Sequence, residues 1–383
     1  MGVCFNEEKK KSNKSNQYQN NKENFNNKSN NENKQPQIIN NNYININREY
    51  AQRNRKQNYN DSNNPKGLIN LGLSCYMNSL LQCLYYIKEL RNYFIKHIKQ
   101  FNDKPVSQAL AQVLYDMKYN EKENIRPEAF KKIMGQKNNL FEGIKAGDAK
   151  DLYLNLIDSL LTELINDGSQ QSSIRSYNCS DKVQMFYEAE KEVDKKCIIN
   201  HLFIGYYETE YKCPKNSYIY SFESTSFILF NLENIYKYFN NKQLSIELCF
   251  EYYCSEHENT SFFCSHCGKI HTGKSKDKIY RPPKILVIIL ERGKGKIFRG
   301  KVNFSVELNL KKYIDEEHYN YSTNYELIGV ITHSGESASS GHYIACCLTD
   351  NKKYFYFSDD YKEKIDKNKI NFNEPYLLFY QNV

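Results

Sequence analysis

Residues 67–82 read Gly67-Leu-Ile-Asn-Leu-Gly-Leu-Ser-Cys-Tyr-Met-Asn-Ser-Leu-Leu-Gln82. A turn of small residues leads into Cys75, where an apolar pattern with helical spacing begins. The N-terminus of a helix offers free backbone N–H groups and the positive end of the helix dipole, so a thiol placed there is biased toward the thiolate. The pattern therefore predicts a nucleophile at Cys75. Asn70, upstream of it, is placed to donate an amide N–H to an oxyanion beside the sulfur.

The length and composition limit the classes of protein to which this chain could belong. The chain has 383 residues, enough for one large domain or two ordinary ones. Its net charge is +8, but residues 1–64 hold eleven basic and six acidic residues, so the basicity belongs mainly to this tail. Because no aromatic–basic recognition motif accompanies it, we expect no nucleic-acid partner. The tail is rich in Asn, Lys, Gln and Ser and poor in apolar residues, which predicts disorder.

The first residues and the cysteines bear on the compartment. Gly2 and Cys4, followed by three lysines, suggest acylation and attachment to a membrane surface, although Asn6 stands where the acylation pattern has Ser or Thr. The alternative is an ordinary flexible terminus. Twelve cysteines without an N-terminal apolar segment indicate a reducing compartment. We expect a cytoplasmic protein, with the nucleus or a membrane surface as alternatives.

The order of the predicted elements indicates the fold class. Apolar residues at helical spacing predict helices over 75–99, 107–118 and 146–164. From about residue 200, aromatic and β-branched runs predict strands at 204–211, 218–222, 227–231, 285–290 and across much of 325–380, with turns at 334–335 and 350–351. Helices first and strands later are typical of the α+β class.

One of the eight histidines lies in a setting suited to a general base. His342 follows a loop of small polar residues flanked by Gly335 and Gly341, and an apolar strand comes after it. Gly341 would let a substrate backbone pass close to the imidazole. A hairpin of suitable length would bring Asp359 back to the ring, where its carboxylate would fix the tautomer and stabilise imidazolium. Taken alone, a strand-end histidine and a solvated turn explain the same residues.

Together these motifs resemble those of a known family. The run around Cys75 is similar to the cysteine box of the ubiquitin-specific proteases, the papain-like deubiquitinases. The run from His342 through Asp359 resembles their histidine box. Residues 146–153 are similar to the helix box that lies between the two, and residues 376–380 to the terminal core strand. The three boxes also occur in the order found in that family.

The resemblance covers residues 66–382 and implies an architecture. We expect a papain-like α+β fold with thumb, palm and fingers, helical in its N-terminal half and built from antiparallel sheet in its C-terminal half. The expected domains are the tail at 1–64 and a catalytic domain at 65–383. The fingers would lie at roughly 205–285, by the resemblance.

The resemblance also implies catalytic roles. Cys75 would be the nucleophile, His342 the base and Asn70 the oxyanion donor. Many members of the family have Asp directly after the Phe of the histidine box, where this chain has Ser358 followed by Asp359. Either Ser358 or Asp359 therefore orients the imidazole. We favour Asp359, because its charge better stabilises imidazolium.

Contacts with the substrate are a further implication. Four residues are expected at the narrow channel for the ubiquitin terminus: Gly341, Ser340, Asp148 and Tyr343. In the helix box Gly147 replaces a Gln. This departure bears on helix packing or on contacts with ubiquitin rather than on the chemistry.

Members of the family often hold zinc in the fingers between two Cys-x-x-Cys knuckles. This chain has one complete knuckle, Cys264-Ser-His-Cys267, and an incomplete one in which Asn216 stands where a thiol is expected. The remaining candidate ligands are Cys213, Cys264 and Cys267 with either His266 or His271. The alternative, which we favour from the sequence, is that the metal has been lost and the thiols are ordinary buried residues. Catalysis itself needs no cofactor.

The function implied by the resemblance is that of a thiol-dependent deubiquitinase, which hydrolyses the peptide or isopeptide bond at the C-terminus of ubiquitin. Its expected partners are ubiquitin and ubiquitinated proteins, and we expect a monomer. Two other functions stay open. One is a ubiquitin-binding scaffold with weak or no turnover, suggested by Gly147 and by the altered histidine box. The other is a protease for a ubiquitin-like modifier.

Overall fold

The computed structural model describes residues 65–165, 197–215, 218–264, 267–293, 298–314, 322–337, 340–370 and 374–383. The predictions for the tail at 1–64, including acylation at Gly2 and Cys4, lie outside these residues, as do Asn216 and His266. No helix in the described ranges is both long and apolar enough to cross a bilayer.

Helices dominate the described chain up to residue 165. In chain order the helices are α1 (Cys75–Tyr85), α2 (Lys88–Lys96), α3 (Pro105–Tyr119), α4 (Glu128–Lys137), α5 (Ala149–Leu164), α6 (Ile198–Phe203), α7 (Leu232–Tyr238) and α8 (Ile246–Tyr253). Pro105 starts α3, where its missing N–H would have had no partner in the helix. Asp148 caps α5 by accepting hydrogen bonds from the backbone N–H groups of Lys150 and Asp151.

Strands form most of the chain after residue 200. In chain order they are β1 (Gly67–Leu68), β2 (Asn124–Ile125), β3 (Gly205–Lys212), β4 (Tyr218–Thr225), β5 (Ile228–Asn231), β6 (Leu244–Ser245), β7 (Glu256–Cys264), β8 (Lys269–Arg281), β9 (Ile285–Glu291), β10 (Val302–Asn303), β11 (Glu307–Asn309), β12 (Asn324–Ser337), β13 (Ser340–Leu348), β14 (Tyr354–Ser358), β15 (Tyr361–Ile365) and β16 (Pro375–Asn382).

The described strands form two larger sheets. The main sheet has the order β15-β14-β13-β12-β16-β9-β5, with β11 added beside β12. Its neighbours are antiparallel, except that β5 runs parallel to β9. The second sheet has the order β4-β3-β8-β7 and is antiparallel throughout. Two short parallel pairs, β1–β2 and β10–β6, complete the set.

The core lies where α1 meets the main sheet. Every residue of α1 from Cys75 to Leu84 is buried, and the helix packs against α5 and against β12, β13 and β14. The apolar run predicted as a buried strand forms most of β9, and residues 285–290 are at most 2 % exposed. Burying one large apolar side chain contributes about 1.5–3 kcal/mol. This packing fixes the helix that begins at Cys75 against the strand that carries His342.

Two sequence-based predictions of local structure were wrong. The helix predicted over 75–99 is divided, because Ile87 has an extended backbone (ψ 90°) between α1 and α2. The turn predicted at 334–335 lies inside β12, which continues to Ser337 through an irregularity in its pairing with β13.

The sequence-based predictions also missed three helices, α6 just before the strand-rich region and α7 and α8 within it. The last two have ordinary capping signals. Asn231 caps α7 by accepting from the N–H of Asn234, and Ser245 caps α8 by accepting from the N–H of Leu248. Aromatic and β-branched residues are weak helix formers but are compatible with helices that pack on a core.

Candidate active site

Cys75 is the first residue of α1 and follows a tight turn. Asn70 Oδ1 accepts a hydrogen bond from Ser74 N at 3.0 Å, and Ser74 Oγ accepts one from Leu71 N at 2.8 Å, so the turn is closed from both sides. Leu73 has a left-handed backbone (φ 53°), a conformation that is unfavourable for Leu. Cys75 is only 8 % exposed, whereas Asn70 is open to solvent. The turn therefore presents an accessible amide beside a shielded thiol.

The strand of His342 also reaches the Cys75 thiol. The backbone N–H of Tyr343, the residue after His342, faces the sulfur closely enough to lower the pKa of the thiol. Burial raises the pKa of the Cys75 thiol, and the charge of Asp359 acts in the same direction, while the N–H of Tyr343 opposes both. Because the net effect is a raised pKa, the thiol is protonated at neutral pH and needs a base.

His342 is held through Ser358, the last residue of the neighbouring strand β14. The His342 Nε2 atom lies 2.8 Å from Ser358 Oγ. This contact leaves Nδ1 as the ring nitrogen that could accept a proton as a base. Burial lowers the pKa of His342, and the carboxylate of Asp359 partly offsets that effect. Since the imidazole is then neutral at pH 7, it can accept a proton.

Asp359 faces the start of α1. Its carboxylate accepts hydrogen bonds from Asn70 Nδ2 and from Asn78 Nδ2, both at 2.8 Å. Burial raises the pKa of Asp359, while the charge of His342 and the two carboxamide donors lower it. The carboxylate thus acts on the imidazole through its charge and holds Asn70 through a hydrogen bond.

The geometry bears on the choice between the two candidate orienting residues. From the sequence we favoured Asp359, and the described contact to the His342 ring is with the alternative, Ser358. The backbone conformations of the two residues explain why Ser358 rather than Asp359 contacts the ring. Ser358 ends β14 in strand conformation, but Asp359 is left-handed (φ 54°), so its side chain leaves the strand face and turns toward Asn70 and Asn78.

Asn78 belongs to this cluster and was not singled out in the sequence. It lies three residues after Cys75, is 2 % exposed, and donates to the Leu68 carbonyl at 3.1 Å as well as to Asp359. The available signal was a carboxamide within an apolar helical run. A polar group buried in such a place needs hydrogen-bond partners to offset its desolvation.

The residues predicted to contact substrate around the histidine occupy different environments. Gly341 is exposed, and a Cβ atom added there would lie 2.5 Å from His333 Nε2 and 2.6 Å from the Ser334 carbonyl, so the glycine is needed for close approach of β12 and β13. Tyr343 is 5 % exposed, with its ring centroid 4.4 Å from that of His333. Its side chain therefore offers little surface to a substrate. The side chain of Ser340 lies outside the described set.

The helix-box residues form a half-buried cluster at the start of α5. Asp148, besides capping the helix, accepts hydrogen bonds from the Tyr376 hydroxyl at 2.7 and 2.8 Å. Gly147 makes room for an aromatic ring, because a Cβ atom there would lie 2.5 Å from Tyr76 Cζ. The departure from Gln at this position is therefore explained by packing against the residue that follows Cys75.

A second cluster of functional side chains lies in the β4-β3-β8-β7 sheet. The Sγ atoms of Cys213, Cys264 and Cys267 and a ring nitrogen of His271 lie within 4.8 Å of one another. Cys213 Sγ is 3.5 Å from both other sulfurs. The Nε2 atom of His271 is buried and has no hydrogen-bond partner among the described residues. Three thiols and one unpartnered imidazole fit tetrahedral zinc, whose Zn–S distances are about 2.3 Å.

Comparison with known proteins assigns the chain to a family. A model of the family described as ubiquitin carboxyl-terminal hydrolase matches residues 66–380, most of the chain. The chain belongs to the ubiquitin carboxyl-terminal hydrolase family. This confirms the family predicted from the sequence, and with it the class of cysteine-type hydrolases that remove ubiquitin. Catalysis in this class needs no cofactor.

Relatives of this hydrolase are known from plants and yeast. Ubiquitin carboxyl-terminal hydrolase 4 of Arabidopsis thaliana is 25 % identical over 351 residues, covering 83 % of this chain and 93 % of the plant protein. Ubiquitin carboxyl-terminal hydrolase 8 of Saccharomyces cerevisiae is 25 % identical over 356 residues, covering 82 % of this chain and 70 % of the yeast protein. Saccharomyces cerevisiae ubiquitin carboxyl-terminal hydrolase 4 is 28 % identical, but only 39 % of it is covered.

Solved structures establish the fold of the hydrolase. A chain of the SAGA Ubp8/Sgf11/Sus1/Sgf73 DUB module bound to ubiquitin aldehyde superposes with a TM-score of 0.67 at 20 % identity, covering 91 % of this chain and 76 % of that one. The same kind of module bound to monoubiquitin gives 0.67 at 19 % identity with the same coverage. The α+β class predicted from the sequence is confirmed.

Proposed function

We propose that this ubiquitin carboxyl-terminal hydrolase cleaves the peptide or isopeptide bond after the C-terminal glycine of ubiquitin, with Cys75 as nucleophile and His342 as base. The observation that carries the proposal is the packing of α1, which begins at Cys75, against β13, which carries His342 with its ring held by Ser358. The names of the relatives and the ubiquitin bound in the related modules support ubiquitin as the partner.

The reaction would proceed through a thioester. His342 Nδ1 takes the Cys75 proton as the sulfur attacks the glycine carbonyl carbon, and Asn70 with a backbone N–H near Cys75 holds the oxyanion. The imidazolium then gives its proton to the leaving amine. A water molecule, deprotonated by His342, attacks the thioester. The intermediate collapses with cleavage of the C–S bond, the imidazolium returns its proton to the Cys75 sulfur, and ubiquitin leaves with a free carboxyl group that ionises in solvent.

Two residues would support the imidazole in this cycle. For Nδ1 to accept a proton, Nε2 must carry one, and Ser358 Oγ at 2.8 Å is placed to accept that hydrogen bond. Asp359 stabilises the imidazolium through its charge and restrains Asn70. The tasks of orientation and charge stabilisation are then divided between adjacent residues.

A ubiquitin probe with an electrophile at its C-terminus tests this function. We expect the wild type to form one adduct at Cys75, mapped by mass spectrometry, and Cys75→Ala to form none. Cys83→Ala, which removes another thiol from α1, is the control and should still be labelled. Adduct formation at a different cysteine would contradict the assignment of the nucleophile.

The same assay separates the alternative functions. A protease for a ubiquitin-like modifier would react faster with a probe built on that modifier than with the ubiquitin probe. A scaffold without turnover would bind ubiquitin but neither form an adduct nor release a fluorophore from a ubiquitin C-terminal amide. Rapid release, lost in Cys75→Ala, is the result that the proposed function requires.

A structural zinc is the second part of the proposal. The ligands would be Cys213, Cys264, Cys267 and His271, with His271 taking the place of the thiol that is missing at Asn216. The support is the unpartnered, buried Nε2 of His271 beside three close thiols. When bound, the metal would clamp β3, β7 and β8 together, at a place far along the chain from the catalytic residues.

A further inference from the structure

A buried carboxamide joins three segments that carry the candidate active site. Asn78 lies in α1, three residues after Cys75, and is 2 % exposed. Its Nδ2 donates to Asp359 Oδ1 at 2.8 Å and to the Leu68 carbonyl at 3.1 Å. Leu68 belongs to β1, which leads directly to Asn70. One side chain therefore links the nucleophile helix, the oxyanion-donor segment and the turn after β14.

These contacts close into a ring of hydrogen bonds. Leu68 N donates to the Asp359 carbonyl at 2.9 Å, so β1 holds the backbone of Asp359 while Asn78 holds its carboxylate. The other carboxylate oxygen accepts from Asn70 Nδ2 at 2.8 Å. Because each oxygen has its own carboxamide donor, the carboxylate cannot rotate without breaking a bond. The direction of the Asn70 amide therefore depends on Ser74, which donates to its Oδ1, and, through Asp359, on the bond made by Asn78.

We propose that Asn78 is a positioning residue of this hydrolase, which fixes the Asp359 carboxylate and thereby aims the Asn70 amide at the oxyanion. The inference rests on the proposed function. Asn78 does not touch the reacting atoms and acts through Asp359. An oxyanion donor binds the transition state more strongly than the substrate, so a misdirected Asn70 lowers kcat and leaves KM unchanged.

Gln82 provides a matched control one turn further along α1. It is 1 % exposed, and its Nε2 donates to the Lys66 carbonyl at 2.8 Å rather than to Asp359. Its Oε1, like Asn78 Oδ1, has no hydrogen-bond partner among the described residues. Asn78→Leu and Gln82→Met thus each remove one buried carboxamide at similar volume. Their damage to packing should be comparable, whereas only the first releases Asp359.

The test is steady-state release of a fluorophore from a ubiquitin C-terminal amide by the full chain, with urea unfolding of each variant measured in parallel. We expect Asn78→Leu to lower kcat by about 10- to 100-fold with KM within roughly twofold, since losing an oxyanion donor outright costs about 100- to 1,000-fold. Gln82→Met should keep kcat within roughly twofold. An unchanged kcat in Asn78→Leu, or equal losses in both variants, would overturn the proposal.

A double-variant cycle with Asn70→Ala separates positioning from general damage. Once the Asn70 amide is absent, Asn78→Leu should slow the reaction little further, because its target is gone. Losses that multiply would contradict the inference. If Asn78→Leu does not fold, Asn78→Ser is measured with the same expected outcomes. A wild type without turnover overturns both proposals, while an active wild type with an unaffected Asn78 variant overturns this one alone.

Discussion

At the scale of single residues, two neighbours at the end of β14 act differently on His342. Ser358 contacts the ring at 2.8 Å, whereas Asp359 is held by two carboxamides and influences the ring through its charge. A neutral hydrogen bond contributes about 1 kcal/mol net. A half-buried charge close to an imidazolium contributes more, because solvent screens it only in part. Asp359 should therefore matter more for turnover than Ser358.

This difference can be measured with Ser358→Ala and Asp359→Ala. We expect Ser358→Ala to lower kcat by about 5- to 10-fold, the cost of one neutral hydrogen bond. Asp359→Ala should lower it by at least about 100-fold, because the charge is lost and Asn70 is released. Asp360→Ala alters the exposed neighbour and serves as the control, and its kcat should be nearly that of the wild type. A larger loss in Ser358→Ala than in Asp359→Ala would reverse this order.

The pH dependence of kcat/KM in Asp359→Ala independently tests the electrostatic role of this carboxylate. The Asp359 carboxylate raises the pKa of His342. Removing it lowers that pKa, so the imidazole stays neutral down to a lower pH. The acid limb of kcat/KM should therefore move to lower pH in Asp359→Ala, even though the maximum falls. Movement of that limb to higher pH would contradict the electrostatic role.

The sequence could indicate Cys75, His342 and Asn70 as candidates because each lies in a distinctive local pattern. It could not assign the separate contacts of Ser358 and Asp359. Those depend on a left-handed backbone at Asp359, which turns adjacent side chains toward different partners. Asn78 was missed for a related reason. The hydrogen-bond partners of a carboxamide in a helix come from distant segments, and the sequence does not show which segments the fold brings next to it.

At the scale of elements, the β4-β3-β8-β7 sheet contributes Tyr207 and Ile279 to the main core and has a small apolar cluster of its own. Its own apolar cluster consists of Cys213, Ile219, Phe262 and Cys264, with Tyr211 and Cys267 packed against it. Such a small core suits stabilisation by a metal, because structural zinc contributes directly to folding free energy. The candidate ligands lie just after β3 (Cys213), at the end of β7 (Cys264), in the following turn (Cys267) and in β8 (His271), so a bound metal would connect these three strands.

The zinc prediction belongs to this element. We expect the purified chain to carry roughly one equivalent of zinc, as a single tetrahedral site requires. His271→Asn should lose most of it and lower the unfolding temperature. His257→Asn, on β7 but outside the ligand cluster, should retain the metal and serves as the control. Elemental analysis and thermal unfolding with and without a chelator are the measurements. Full zinc content in His271→Asn would contradict the proposed ligand.

Elements were predictable in proportion to the strength of their local signal. The apolar run of β9 is buried on both faces and could be recognised from composition alone. The helices α7 and α8 are short and aromatic, so tertiary packing rather than propensity decides them. The break at Ile87 likewise lies inside a continuous apolar pattern, which periodicity cannot divide.

At the scale of the whole molecule, the order of elements was enough to predict an α+β fold, but the neighbours within the sheet were not predictable. β16, the last strand, lies between β12 and β9, and β5 adds a parallel edge. Hydrophobic period identifies strands and says nothing about which strands pair. Long-range contacts of this kind form only once β16 is present. Side chains that connect β16 to its neighbouring strands should therefore contribute to the stability of the whole fold.

Arg292 is such a side chain and gives a prediction on the stability of the whole fold. It follows β9, is 9 % exposed, and donates to the carbonyl of Pro375 in β16 and to those of Phe298 and Gly300. Arg292→Met keeps the apolar stem but leaves buried carbonyls without these donors, and should lower the free energy of unfolding by about 2–4 kcal/mol. Arg126→Met removes an exposed ion pair with Glu128 and should cost less than about 1 kcal/mol. Urea unfolding measures both changes. Equal losses would show that Arg292 does not tie the last strand to the centre of the sheet.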